Sequence, residues 1–165
     1  MLLLARSELV AYDRNMAVGS VFDAAEELEV VASRLYRTLC VRFQANEATS
    51  TLFARLAEEE VQHAERVRML RMRYEERPAM FAEVVFDLNA ARDIMKDIGV
   101  LERLLESDPF LSAEQARQFM GQLEDKFALA HADAMVKTSD PAARLIFELL
   151  ANQDRAHAEL LHPSK

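Results

Sequence analysis

Two short stretches of this chain set an acid three residues ahead of a histidine: Glu60 and His63 in AEEEVQHAE, and Asp154 and His157 in ANQDRAHAE. Residues at i and i+3 share one helix face, so each pair offers a carboxylate and an imidazole to a single point in space. Such pairs are common on solvated helices, and they become ligands only where that face turns into a core. The seven-residue spacing that keeps side chains on one seam settles which way they turn. Phe53, Leu56, Glu60, His63, Val67, Leu70 and Tyr74 form one stripe, and Ala143, Phe147, Leu150, Asp154, His157 and Leu161 form another. Both are apolar at the ends and polar in the middle. Two further stripes each carry one mid-seam acid: Phe22, Ala25, Glu29, Ala32, Tyr36, Leu39 and Phe43; and Met120, Glu124, Phe127, His131 and Ala134.

Four carboxylates buried without compensation would cost several kcal/mol each. Two divalent cations balance the charge of Glu29, Glu60, Glu124 and Asp154, while His63 and His157 give each ion one neutral nitrogen. Oxygen-rich ligation with one imidazole per ion suits Fe, Mn or Zn better than ions that seek thiolates. These six residues are the candidate metal ligands. Tyr36 reads as a core aromatic whose hydroxyl reaches a ligand carboxylate, with a redox role as the lesser alternative. His131 reads as a hydrogen-bonding neighbour of a ligand, or as a core histidine satisfied by a carboxylate, ahead of direct ligation. Glu58, Glu59 and Glu65 fall off the seam and read as a solvated face. His162 reads as exposed and idle, and Cys40 as a small hydrophobe.

The elements that must position these groups are helices. Glycine occurs three times and proline four in 165 residues, while Ala, Leu, Glu, Arg and Met dominate, a composition that favours helix over hairpins and turns. A first helix is expected from a Ser20 N-cap after Gly19, with Asp23 in its first turn, to about Phe43, and a second follows the joint QANEATS to about Tyr74. A third opens at Ser112, where SAEQ is a capping-box pattern, and runs to about Val136. The fourth opens at Asp140, with Pro141 at the first helical position. Each short joint makes its two helices antiparallel neighbours. Between the pairs, roughly residues 76 to 111 are too long to lack structure in a compact domain, and LNAARDIMKDIGVLERLLES is expected to hold one or two short helices. The chain thus reads as one all-α domain over 1–165: hairpin 20–75, crossover 76–111, hairpin 112–162, forming a four-helix bundle with one long crossover.

The two hairpins also resemble each other. FARLAEEEVQHAE from residue 53 matches FELLANQDRAHAE from residue 147 without a gap, and aligning Glu29 with Glu124 sets Tyr36 on His131. This reads as an internal duplication. A formal net charge of −8 with no dense Lys/Arg cluster disfavours nucleic acid. A single cysteine allows no internal disulfide and no cysteine-based metal knuckle, so a reducing cytoplasm is the simplest location. The opening MLLLARSELVAYDRN lacks a basic n-region and cleavage site, and no run of 18 apolar residues occurs, so neither secretion nor membrane spanning is expected.

On these residues, chiefly Glu29 seven before Tyr36, LFARLAEEEVQHAERV and KTSDPAARLIFELLANQDRAHAELL, the chain resembles the ferritin-like superfamily and, within it, the rubrerythrin-like branch. The resemblance covers about residues 20 to 75 and 112 to 162. It implies a di-iron centre liganded by Glu29, Glu60, His63, Glu124, Asp154 and His157, with Glu60 and Asp154 bridging. It further implies peroxide reduction, or oxidation of ferrous iron by peroxide or dioxygen, in a homodimer or higher homo-oligomer. Three departures stand out. A four-cysteine rubredoxin-like module cannot be built from Cys40, so an external electron donor protein is expected. Phe127 stands where an additional glutamate is expected one turn after the third-helix ligand, and Asp154 replaces a glutamate, withdrawing its carboxylate by about 1.5 Å. Two rival classes remain open: a protein that binds or delivers divalent metal without turnover, and a metal-free bundle in which protonated carboxyls pair with the histidines.

Overall fold

Asn46, Asp87, Ser112 and Asp140 each stand just ahead of a helix, and each uses a side-chain oxygen to accept a hydrogen bond from an otherwise unpaired first-turn amide. Asp140 Oδ1 accepts from the amides of Ala142 and Ala143 at 3.0 and 2.9 Å, and Pro141 follows at the position where a missing N–H costs nothing. At Ser112 the cap is reciprocal: its hydroxyl accepts from the Gln115 amide, and the Gln115 side chain accepts from the Ser112 amide at 2.9 Å. Each such cap contributes about 1 kcal/mol. The computed structural model describes residues 2–77 and 83–162, with side chains described from residue 19 onward.

Five helices result: α1 (Leu2–Arg42), α2 (Glu47–Glu76), α3 (Leu88–Ser107), α4 (Ala113–Lys137) and α5 (Pro141–Leu161). No strand occurs among the described residues, and none of their helices is long and apolar enough to cross a membrane. α1 and α2 are antiparallel neighbours, since Ser50 bonds the Cys40 carbonyl, Ser33 bonds the Ala57 carbonyl at 2.9 Å, and Arg71 reaches Asp23 at 2.7 Å. α4 and α5 pair likewise, with Arg117 donating to the Leu160 carbonyl and His131 meeting Asp154. Gly121 lets the two approach closely, because a Cβ there would sit 3.0 Å from the His162 ring. α2 and α5 touch through Arg66, which donates to Gln153 at 3.0 Å.

The crossover differs from expectation. It holds one 20-residue helix, running through Gly99 without a break, in place of short segments. Ala91, Ile94, Ile98 and Leu101 recur at helical spacing and are buried, and α3 lies across α1 and α4 through Arg34–Glu102 and Lys126–Asp97. Ahead of it, residues 83–87 run extended along the joint between α4 and α5. The Val85 amide donates to the Thr138 hydroxyl at 3.0 Å, that hydroxyl donates back to the Val85 carbonyl, and the Ser139 amide donates to the Glu83 carbonyl at 2.9 Å.

The first helix also differs. Ser20 is not an N-cap, because α1 continues back to Leu2, and no described glycine adopts positive φ. A single helical glycine costs about 1 kcal/mol, which strong helix formers on both sides of Gly19 outweigh. The seams themselves fall inside. Every stripe residue on α2, α4 and α5 is buried, as is every one on α1 except the partly covered Phe43.

Candidate metal centre

α1 contributes Glu29 to the middle of the core, α2 Glu60 and His63, α4 Glu124 and His131, and α5 Asp154 and His157. Their neighbours along each seam are fully covered aromatics and aliphatics such as Phe22, Phe53, Phe127 and Phe147, which exclude water and lower the local dielectric. The acids are themselves completely buried and His157 is 2% exposed.

These groups form two triads that share one member. Donor atoms of Glu29, Glu60 and His63 lie within 4.8 Å of one another, and so do those of Glu60, Glu124 and His157. Glu60 faces both ways, with Oε2 3.0 Å from His63 Nδ1 and Oε1 2.8 Å from His157 Nδ1. Glu29 Oε2 stands 3.4 Å from His63 Nδ1, and Glu124 Oε2 stands 3.5 Å from His157 Nδ1. The two imidazoles lie nearly parallel, 10° apart with centroids separated by 5.5 Å, as the duplicated sequence suggests. Asp154 falls outside both triads: its Oδ2 meets His131 Nδ1 at 2.8 Å, and its Oδ1 is 3.9 Å from His63 Nδ1.

Several of these atoms approach closely without bonding one another. Both oxygens of Glu29, Glu60 Oε1, Glu124 Oε2, Asp154 Oδ1 and His157 Nδ1 are buried with no hydrogen-bond partner among the described residues. Buried polar atoms are nearly always paired, so a cluster of exceptions aimed at shared points calls for a ligand. Donors bound at about 2.1 Å with angles between 90° and 109° stand roughly 3.0–3.4 Å apart. The separations of 2.8–3.5 Å within the triads match that spacing, and carboxylates with one imidazole form a donor set for hard to borderline divalent ions. The residues present therefore fit a pair of cations.

Further groups hold the ligands from behind. Tyr36, fully buried, donates its hydroxyl to Glu124 Oε1 in a short hydrogen bond. His131 Nε2 lies 3.3 Å from Glu29 Oε1, so the residue seven after the acid in each half reaches the acid of the other half. Glu59, expected on a solvated face, instead meets His157 Nε2 at 2.8 Å and accepts from Arg55 at 2.8 Å. That contact orients the imidazole so that Nδ1 points inward. Glu59 lies one residue beyond the seam, on the edge of α2 facing α5, and its position beside a core acid is the signal that a strict seven-residue count discards. His162 is exposed as expected, yet it is not idle, for its Nε2 pairs with Asp125 at 3.1 Å.

Without cations, protons take over the neutralisation. Burial drives the Glu29 carboxyl well above the carboxylate range, helped by the charges of Glu60 and Asp154 and opposed by the His63 imidazole beside it. Burial likewise lifts Glu124 to about 8. Burial would raise Glu60 too, but the close contacts with the His157 and His63 imidazoles pull it far below its usual range. For the imidazoles burial works downward, and the close carboxylates, Glu29 and Glu60 beside His63 and Glu124 and Glu60 beside His157, overcome it, lifting them to about 10 and about 11. Burial and the Glu124 charge push the Tyr36 phenol well above 10, so it remains a hydrogen-bond donor. Comparison of the chain with protein-family models, with curated proteins and with solved structures gives no match.

Proposed function

We propose that this chain is a ferritin-like, rubrerythrin-like non-haem di-iron oxidoreductase, which reduces peroxide or oxidises ferrous iron with peroxide or dioxygen. The observation that carries this reading is the pair of donor triads joined at Glu60, with unpartnered buried atoms directed into each. Two ferrous ions, if bound there, would supply two electrons together to one oxidant. The chain's own residues do the rest. Glu60 would be shared by the two positions, Glu29 with His63 and Glu124 with His157 would complete them, and Tyr36 and Glu59 hold Glu124 and His157 in orientation. Phe127, at the place of the additional glutamate of rubrerythrins, adds apolar cover in place of a movable ligand. Turning one peroxide into two waters consumes two electrons and two protons. Cys40 is the sole thiol of the chain, so sustained turnover draws on an external electron donor, and a homo-oligomer accords with the same reading.

Anaerobic loading with ferrous iron followed by peroxide is expected to give rapid oxidation of about two irons per chain. A Glu60→Ala variant reacting as fast as the parent would refute the central role of that carboxylate. The position of Asp154 outside both triads favours a second reading, in which the chain binds and hands on divalent metal without turnover. Repeated cycles with an external reductant separate the two: a binder reacts once and stops, whereas an oxidoreductase continues.

A further inference from the structure

Of the acids and histidines that form the cage, only His157 has any exposure; Glu29, Glu60, His63, Glu124, His131 and Asp154 have none. Along the bundle axis the cage is closed by its own seams, which turn apolar on either side of it at Leu56 and Val67 of α2 and at Leu150 and Leu161 of α5. Sideways there are four walls. Two are the α1–α2 and α4–α5 pairs, which pack most extensively. The third, between α1 and α4, is covered by α3, whose Ile94, Ile98 and Leu101 are buried. The fourth, between α2 and α5, has no such cover among the described residues. Two polar contacts bridge it: Arg66 with Gln153 at 3.0 Å, and Glu59 with His157 at 2.8 Å. Glu59 and Arg66 stand seven residues apart and so share one edge of α2. Gln62, within that interval, and Ala156, within the matching interval of α5, are both exposed. The Glu59 side chain, itself 28% exposed, therefore stands between His157 and water.

We propose that divalent cations enter the cage between α2 and α5, and that Glu59 is the gate on that route. This rests on the metal-centre reading above. Glu59 is held from two directions at once: Arg55 Nε donates to one carboxylate oxygen at 2.8 Å from the solvent side, and His157 Nε2 meets the other at 2.8 Å from the cage side. Arg55 is largely exposed, so this outer ion pair is screened by water and yields at little cost. A hydrated cation arriving at the gap offers Glu59 a doubly charged partner in exchange for a singly charged one. The carboxylate then turns about its own side-chain bonds and uncovers the His157 ring, with no helix having to move. A negative group at the mouth of a narrow cleft also raises the local concentration of cations, and with it their rate of arrival.

The test is stopped-flow loading of the metal-free chain with Co(II) under anaerobic conditions, with dissociation followed separately in excess chelator. Ala156→Phe lays a ring over the gap and alters no group of the cage. Association and dissociation are both expected to slow by the same factor, about tenfold, with the dissociation constant unchanged. Arg55→Ala frees the gate and accelerates both. Glu59→Gln lowers the association rate about tenfold and flattens its dependence on salt; a Glu59 that only oriented His157 would show its loss of affinity in dissociation instead. Loading of Ala156→Phe at the parent's rate, or a Glu59→Gln variant that loses affinity through dissociation alone, overturns the route and leaves the metal centre standing. Absence of bound cobalt in the parent chain removes the metal centre itself, and this inference with it.

Discussion

Loading the metal-free chain with Zn(II), which binds without redox chemistry, is expected to expel about three protons or more per chain at pH 7. The count follows from the cage. His63 and His157, raised to about 10 and about 11 by their carboxylate partners, are both imidazolium at that pH. Glu124, lifted to about 8 by burial, is about nine-tenths protonated, and Glu29 is held higher than the ordinary carboxylate range by the same cause. Glu60 is already ionised. Ligation requires neutral imidazole and carboxylate, so His63, His157 and Glu124 each give up a proton as zinc enters. The sign is fixed: apparent affinity rises with pH. The count drops by about one between pH 7 and pH 9, as Glu124 loses its proton beforehand. Calorimetric titration in buffers of differing ionisation enthalpy reads the number directly, as the slope of observed heat against buffer enthalpy. A slope of two or less would refute the reasoning, because the carboxylates would then be ionised before zinc arrives and burial would not be governing them.

The same groups set the stability of the metal-free chain. Raised folded values on Glu124, His63 and His157 stabilise fully below the unfolded values of 4.5 and 6.5, and that contribution is lost as pH climbs towards 8, 10 and 11. In chelator the melting temperature is therefore expected to fall between pH 5 and pH 10, and a rise over that range in scanning calorimetry would contradict the assignment. Tyr36→Phe removes the hydroxyl that satisfies buried Glu124 and is expected to cost about 1–3 kcal/mol in denaturant unfolding of the metal-free chain; no change in midpoint would show that the contact contributes nothing. Glu59→Gln takes the carboxylate from behind His157, and the metal position served by His157 should bind about 10–100-fold more weakly in a competition titration, with the position served by His63 unaffected.

Much of this arrangement is legible along the chain because burial obeys a simple period. Seven-residue counting places Glu29, Glu60, His63, Glu124, Asp154 and His157 on apolar seams, and all six lie inside. Local chemistry also marks the starts of α4 and α5, where Ser112 with Gln115 and Asp140 with Pro141 have few other roles to play. Periodicity says nothing, however, about direction within a seam. Asp154 and Glu60 occupy matched positions, yet one methylene and the neighbouring His131 send their carboxylates to different partners. Glu59 is hidden from the count because an edge residue is half solvent and half interface, and only the approach of α5 decides which half matters. Gly19 and Ser20 mislead for another reason: a cap signal competes with whatever flanks it, and helix formers on both sides of this one prevail.

The extended residues 83–87 do two jobs at once. They are clasped by Thr138 and Ser139 at the α4–α5 joint, and they lay Phe86 against His131. Joining segments between duplicated units ordinarily drift freely in length and sequence. This one is tethered at its far side and forms part of the chamber wall, so an inserted residue there would shift an aromatic beside His131 while leaving both repeats untouched. The tandem architecture thus carries its individuality in its seam of attachment as much as in the copies it attaches.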